Sequence, residues 1–198
     1  MAGVDHVDQS RAEQVILFRG AGMGLHRRPE IAGFLAKAYE TLQFKANKTA
    51  SSAHKINALR VVQAGLWKDS FLNRRCLVPG TSFREAKGRN PAEDFWFALI
   101  GDEARPLFAF AGLWRRRQPG IEGEEGGWIT HTMVTTTPNK LVEPVHPTRM
   151  PVILDPQDYE TWLYGTPAEA AELLRPFPAE KMRVVRQGSG LLVDKGEE

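Results

Sequence analysis

The chain has 198 residues, 42% hydrophobic and 25% charged, which is enough apolar material for one globular domain with its own core and argues against disorder. A formal charge of only +2 does not demand a nucleic-acid partner; the arginines are instead clustered (Arg27 with Arg28, Arg74 with Arg75, Arg115 to Arg117, Arg183 with Arg186), as solvated faces or as a surface that tracks phosphates. One cysteine, Cys76, excludes a disulfide within these residues and fits a reducing compartment, and no run approaches the roughly 18 apolar residues of a membrane span.

The opening residues carry Asp5, His6 and Asp8 without an apolar run, so no secretory signal is expected and a cytoplasmic protein is. Residues 14–18 are a short apolar strand ending at Gly20. From Pro29 the apolar residues Ile31, Phe34, Leu35, Ala38 and Leu42 recur at helical spacing, with the proline suited to the first turn. Residues 45–55 are polar and read as an exposed loop, and 59–67 as a short helix weakened by Gly65.

The middle of the chain changes character. Aromatic and β-branched residues predict strands over 76–79, 94–100, 107–114 and 131–137, parted by Gly88, Asn90 and Pro91, Gly101 and Asp102, Pro119 and Gly120, and Gly126 and Gly127. Such short joins predict an antiparallel meander curled towards a barrel. Residues 115–127 read as a solvated excursion in which three arginines face Glu122, Glu124 and Glu125. Helices return after residue 154, one capped by Asp155 and Pro156, the next by Thr166 and Pro167. A strand over 182–186 precedes a polar tail. With no repeat or linker, residues 1–198 are expected to form a single α+β domain: a curled, mainly antiparallel, barrel-like sheet flanked by helices.

Two segments concentrate chemistry. His146 lies between Pro144 and Pro147, which hold the backbone extended, and Arg149 follows three residues later. The imidazole exchanges protons near neutral pH and the guanidinium grips phosphate in two places; a satisfied structural histidine is the plain alternative. Glu85 follows Phe83 at a strand end among Arg84 and Lys87, either as a surface ion pair or as a general acid/base. Asn57 reads as a turn asparagine. Cys76 opens an apolar run and reads as core before nucleophile. The histidines show no metal-ligand spacing and one cysteine builds no zinc site, so neither metal nor cofactor is expected.

Residues 73–79 with Phe83 and Glu85, then 111–114, 135–139, and 146–154 with Trp162 and Leu163, together resemble the SRAP family, the SOS-response-associated peptidases also described as abasic-site processing proteins. The resemblance runs from about Ile56 to Arg186 with the motifs in family order. It implies covalent capture of abasic sites in single-stranded DNA by an N-terminal cysteine, whose α-amine forms a Schiff base and whose thiol closes a thiazolidine. It puts the family's glutamate at Glu85 as proton shuttle and agent of self-processing or reversal. The family's histidine falls on His146, helping to open the deoxyribose or to cleave the strand, and its asparagine on Asn57, orienting the N-terminal residue. Arg149 becomes a phosphate contact, joined by Arg75 and by Arg60, whose spacing departs by one residue.

Two departures stand out. Ala2 occupies the position of the cysteine, and no Trp-Gly segment precedes Asn57 between residues 31 and 55. Without the thiol no thiazolidine forms, but an α-amine at Ala2, of pKa roughly 7.7–8.0, still supports a Schiff base and lyase-like chemistry. The expectation is therefore an enzyme of SRAP type, with DNA lyase, cross-linking and autopeptidase activity: a monomer working on single-stranded DNA with abasic sites, in the cytoplasm and at the nucleoid on damage, with no membrane contact. The alternatives are a SRAP-like chain that binds single-stranded DNA without covalent chemistry, and a thiol hydrolase using Cys76.

Overall fold

Where aromatic and β-branched residues crowd the sequence, strands form. The computed structural model describes residues 17–18, 56–57, 67–117 and 128–191, with the backbone alone at 17–18, 56–57, 116–117 and 128–130. The strands are β1 (Leu17–Phe18), β2 (Ile56–Asn57), β3 (Arg75–Gly80), β4 (Phe83–Lys87), β5 (Glu93–Leu99), β6 (Phe108–Arg117), β7 (Trp128–Thr136), β8 (Met150–Pro151), β9 (Ile153–Leu154) and β10 (Met182–Gly188). Short helices α1 (Lys68–Asn73), α2 (Tyr159–Tyr164) and α3 (Pro167–Glu172) accompany them. The chain is thus α+β, as its sequence predicts. The expected helix from Pro29, the loop at 45–55, most of the helix at 59–67, the Arg60 and Ala2 positions and the end of the tail lie outside the described residues.

The strands make two sheets. Seven form one, in the order β1-β3-β6-β7-β2, with β8 beside β7 and β9 beside β6; β10-β5-β4 form the other. Among the described residues only β2 and β7 pair in parallel. The predicted meander is not formed, because β3 pairs with β6 and passes over β4 and β5, which fold away as a hairpin edged by β10. The reason lies in the faces. Phe83, Phe95 and Phe97 share one side of that hairpin and must be buried, and they pack with Phe108, Phe110, Met150 and Ile153 of the larger sheet. Among the described residues no ladder joins β1 to β2, so no closed barrel is present.

The opposite side of the larger sheet packs against the helices. Leu77, Ala111, Leu113 and Val134 meet Phe71 of α1, Tyr159, Trp162 and Leu163 of α2, and Ala170 of α3. Each fully buried Leu, Phe or Met contributes about 1.5–3 kcal/mol relative to exposure, so these two clusters hold the molecule together. Gly112 lets β3 and β6 approach: a Cβ there would lie 2.7 Å from Cys76 Sγ and 2.8 Å from Val78 Cγ2. Local signals set the helix ends. Asp155 accepts from the Gln157 amide at 3.3 Å and so caps the 3₁₀ turn Pro156–Asp158 that leads into α2, and Thr166 and Glu169 form a reciprocal capping box on α3.

Several boundaries depart from the sequence reading. α1 begins where the predicted helix ended, with Trp67 as its N-cap. Arg115, Arg116 and Arg117 stand on β6, paired with Thr130, Ile129 and Trp128, and not in an excursion loop. Glu85 is in the middle of β4, not past a strand end.

One segment positions the site. β6 and β7 pair only from Gly112 and Met133 outwards. Inside that point residues 150–154 enter between them: Pro151 pairs with Thr135, Val152 donates to the Val134 carbonyl at 2.9 Å and accepts from the Ala111 amide at 2.9 Å, and Ile153 pairs with Phe110. Proline is tolerated because this is a short insertion with few ladder bonds to lose.

Candidate functional site

Strand alternation decides what Glu85 faces. Phe83 and Glu85 occupy the inward side of β4, opposite Phe97 and Phe95, while Arg84 turns to the other side and donates to Asp94 Oδ1 at 2.8 Å. Glu85 is only 6% exposed. It lines a cleft of about 260 Å³ where β4 meets the rim of the larger sheet, together with Ser82, Phe83, Arg84, Phe110, Met133, Thr135 and Pro151. A carboxyl group here, walled by phenyl, thioether and pyrrolidine groups and beside two hydroxyls, is placed to exchange a proton with a small polar reactant.

Thr135 ties the other parts together. Its register partners are Asn57 on the parallel β2 and Pro151 on β8, so the backbone of Asn57 runs directly beside a residue of the cleft. Thr135 itself is 2% exposed. Thr135, Ser82 and Met133 are the site residues that sequence reasoning passed over. Thr135 lay in a quoted motif, but nothing local marks which threonine of a run of three faces inwards.

His146 and Arg149 follow from a built turn. Asn139 organises it: Nδ2 donates to the Phe177 carbonyl at 2.7 Å, while Oδ1 accepts from the amides of Leu141 at 3.1 Å and Val142 at 3.0 Å. The His146 amide then donates to the Val142 carbonyl at 2.9 Å, and its Nδ1 lies 3.3 Å from Thr148 Oγ1. Arg149 is half-buried, and its Nε is buried with no hydrogen-bond partner among the described residues. A buried guanidinium N–H left in that state is ready for an anion. Neither residue is among those lining the cleft around Glu85. They are linked to it through the insertion that carries Pro151.

Arg75 is elsewhere. Expected as a DNA contact, it is fully buried, between the Phe71 and Trp162 rings at 5.8 and 5.9 Å, and it donates to the carbonyls of Phe71, Trp162 and Gly165. It fastens α1 and α2 to β3. Cys76 is likewise enclosed, at 0% exposure, and burial pushes its thiol well above the ordinary range, which removes it as a nucleophile. No three His, Cys, Asp or Glu side chains converge as a metal-binding group among the described residues, and no helix there is long and apolar enough to cross a membrane.

The family model described as SOS response associated peptidase (SRAP) matches residues 37–189. The chain belongs to the SRAP family. The SRAP match takes in every strand from β2 to β10 and both the Glu85 cleft and the His146 turn. Similar proteins include the abasic site processing protein YoqW of Bacillus subtilis (strain 168), 32% identical over 126 residues that make up 62% of this chain and 54% of that protein. YobE of the same organism, also named an abasic site processing protein, is 33% identical over 120 residues, or 59% of this chain and 52% of that one. The chain thus spans about half the length of these relatives. Among solved structures, a protein from Bacteroides thetaiotaomicron superposes with a TM-score of 0.59 at 27% identity, covering 76% of this chain and 62% of that one. Another, from Bordetella bronchiseptica, gives 0.56 at 23% identity over 75% and 69% of the two chains and shares the fold.

Proposed function

We propose that this chain processes abasic sites in single-stranded DNA by Schiff-base chemistry at an N-terminal amine, with Glu85 and His146 as acid/base groups. The observation that carries the reading is Glu85, buried on the inward side of β4 in a cleft shared with Thr135, whose ladder partner is Asn57. SRAP membership and relatives named abasic site processing proteins support DNA with abasic sites as the substrate. The amine adds to the C1′ aldehyde of the ring-opened sugar, and the carbinolamine then loses water to leave an imine. Glu85 supplies the proton that departs with that water. Asn57 orients the amine, and Arg149, with its buried unpartnered Nε, takes a phosphate beside the lesion. Arg60 is a second phosphate contact. Residues 1–198 act as one domain, as a cytoplasmic monomer at damaged DNA, without metal or cofactor.

Ala2 in place of a cysteine favours a second reading, in which the chain holds single-stranded DNA without bonding to it. Intact mass of the protein after incubation with a single-abasic-site oligonucleotide, with and without borohydride, separates the two. A borohydride-dependent adduct that maps to the N-terminal amine is expected. Glu85→Gln is expected to slow its formation on the order of a hundredfold while salt-sensitive DNA binding stays within about twofold. DNA binding without any adduct would leave the binding-only reading.

A further inference from the structure

The face of the larger sheet that floors the cleft continues beyond it. Gly112 and Met133 are register partners, and the close approach of a Gly112 Cβ to Cys76 and Val78 puts that pair on the face those residues share. Met133 lines the cleft. Two residues further along each strand stand Trp114 and His131, register partners of one another. Because side chains alternate, they project from the same face, about 7 Å past Met133 and with Cβ atoms about 5 Å apart. Both are half-buried. Burial holds the His131 imidazole below its ordinary value of 6.5, so near neutral pH it is an uncharged ring. Arg115, next on β6, turns to the opposite face, where its guanidinium lies 5.0 Å from the centre of the Trp67 ring.

We propose that Trp114 and His131 form a stacking shelf for the nucleobase next to the lesion, an inference that rests on abasic single-stranded DNA being the substrate. An abasic sugar presents no base, so the register of the strand in the cleft must come from its phosphates and from neighbouring bases. An indole beside a neutral imidazole offers the flat π-surface that stacks any base. The shelf therefore sets which sugar reaches Glu85 without reading sequence.

Fluorescence anisotropy with three single-stranded oligonucleotides tests this. Each carries a central tetrahydrofuran abasic analogue; in one both neighbours are natural nucleotides, and in the others the 5′ or the 3′ neighbour is also tetrahydrofuran. The wild-type protein is expected to lose about fivefold or more in affinity when the neighbour on at least one side lacks its base. Trp114→Ala should abolish that difference, His131→Ala should reduce it, and Trp114→Phe should keep it. Equal binding of all three oligonucleotides by the wild-type protein overturns the shelf, as does a folded Trp114→Ala variant that retains the difference. If borohydride still traps an adduct on an aldehydic abasic oligonucleotide in that event, the Schiff-base reading stands alone. If the protein binds none of the three and traps nothing, both fall. The wild-type comparison needs no substitution, so a variant that fails to fold leaves the result readable.

Discussion

A guanidinium enclosed by the Phe71 and Trp162 rings, with donors on three backbone carbonyls, is a structural joint. Arg75→Lys keeps the charge but not the planar fork, so it leaves buried carbonyls without donors at about 1–3 kcal/mol each. Urea unfolding should show a loss of about 3 kcal/mol or more, with the proposed adduct formation unchanged in whatever fraction stays folded. Arg149 shows the contrasting placement, half-buried with a buried Nε that no described residue accepts from. From sequence alone the two arginines look equally suited to DNA. They part only in three dimensions, because Arg75 reaches carbonyl partners 87 and 90 residues away. Glu85 was legible as a candidate, but its burial was not, since that depends on which side of β4 turns inwards.

At the scale of elements, the three-stranded sheet is closed off by a small latch. Asp94, 3% exposed, accepts from Arg84 Nη1 at 2.8 Å through one oxygen and from the Leu191 amide at 2.8 Å through the other. Trp96 Nε1 donates to the Leu191 carbonyl at 2.8 Å, which pins the turn after β10 across β5. Since Arg84 precedes Glu85 on β4, this latch also steadies the strand that carries the site. Asp94→Ala should cost about 1–3 kcal/mol and speed hydrogen exchange at the Leu191 amide, while amides of β3 and β6 exchange as before. Unchanged protection at Leu191 would show that Trp96 alone holds the turn. Most strands and helix caps of this region were readable from residue type: Thr166 and Asp155 do what their positions predict. β4 was not readable, because Arg84, Glu85 and Lys87 dilute its apolar pattern to Phe83 and Ala86.

For the whole molecule, the half-buried His131 makes stability depend on pH. Its pKa is lowered from 6.5 by desolvation. Above 6.5 the imidazole is neutral in both folded and unfolded chains; as the pH drops below 6.5 the unfolded chain takes up a proton that the folded one resists, so stability falls until the folded pKa is reached. Unfolding free energies measured from about pH 7.5 to about pH 5 should decline, and His131→Phe should flatten part of that decline. An unaltered slope in the variant would assign the dependence to other groups.

Residue types along the chain determined the α+β class, most strand positions, the helix caps and the family-like order of motifs, because these depend on contacts a few positions apart. Tertiary structure alone decided that β3 pairs with β6, that β4 and β5 leave the larger sheet, and that residues 150–154 enter between β6 and β7. It also decided that Arg75 is a joint, and that Glu85 shares a cleft with Thr135 beside Asn57. Those outcomes depend on which apolar faces remain to be covered once every strand exists, and such long-range burial leaves no signature in any short stretch of sequence.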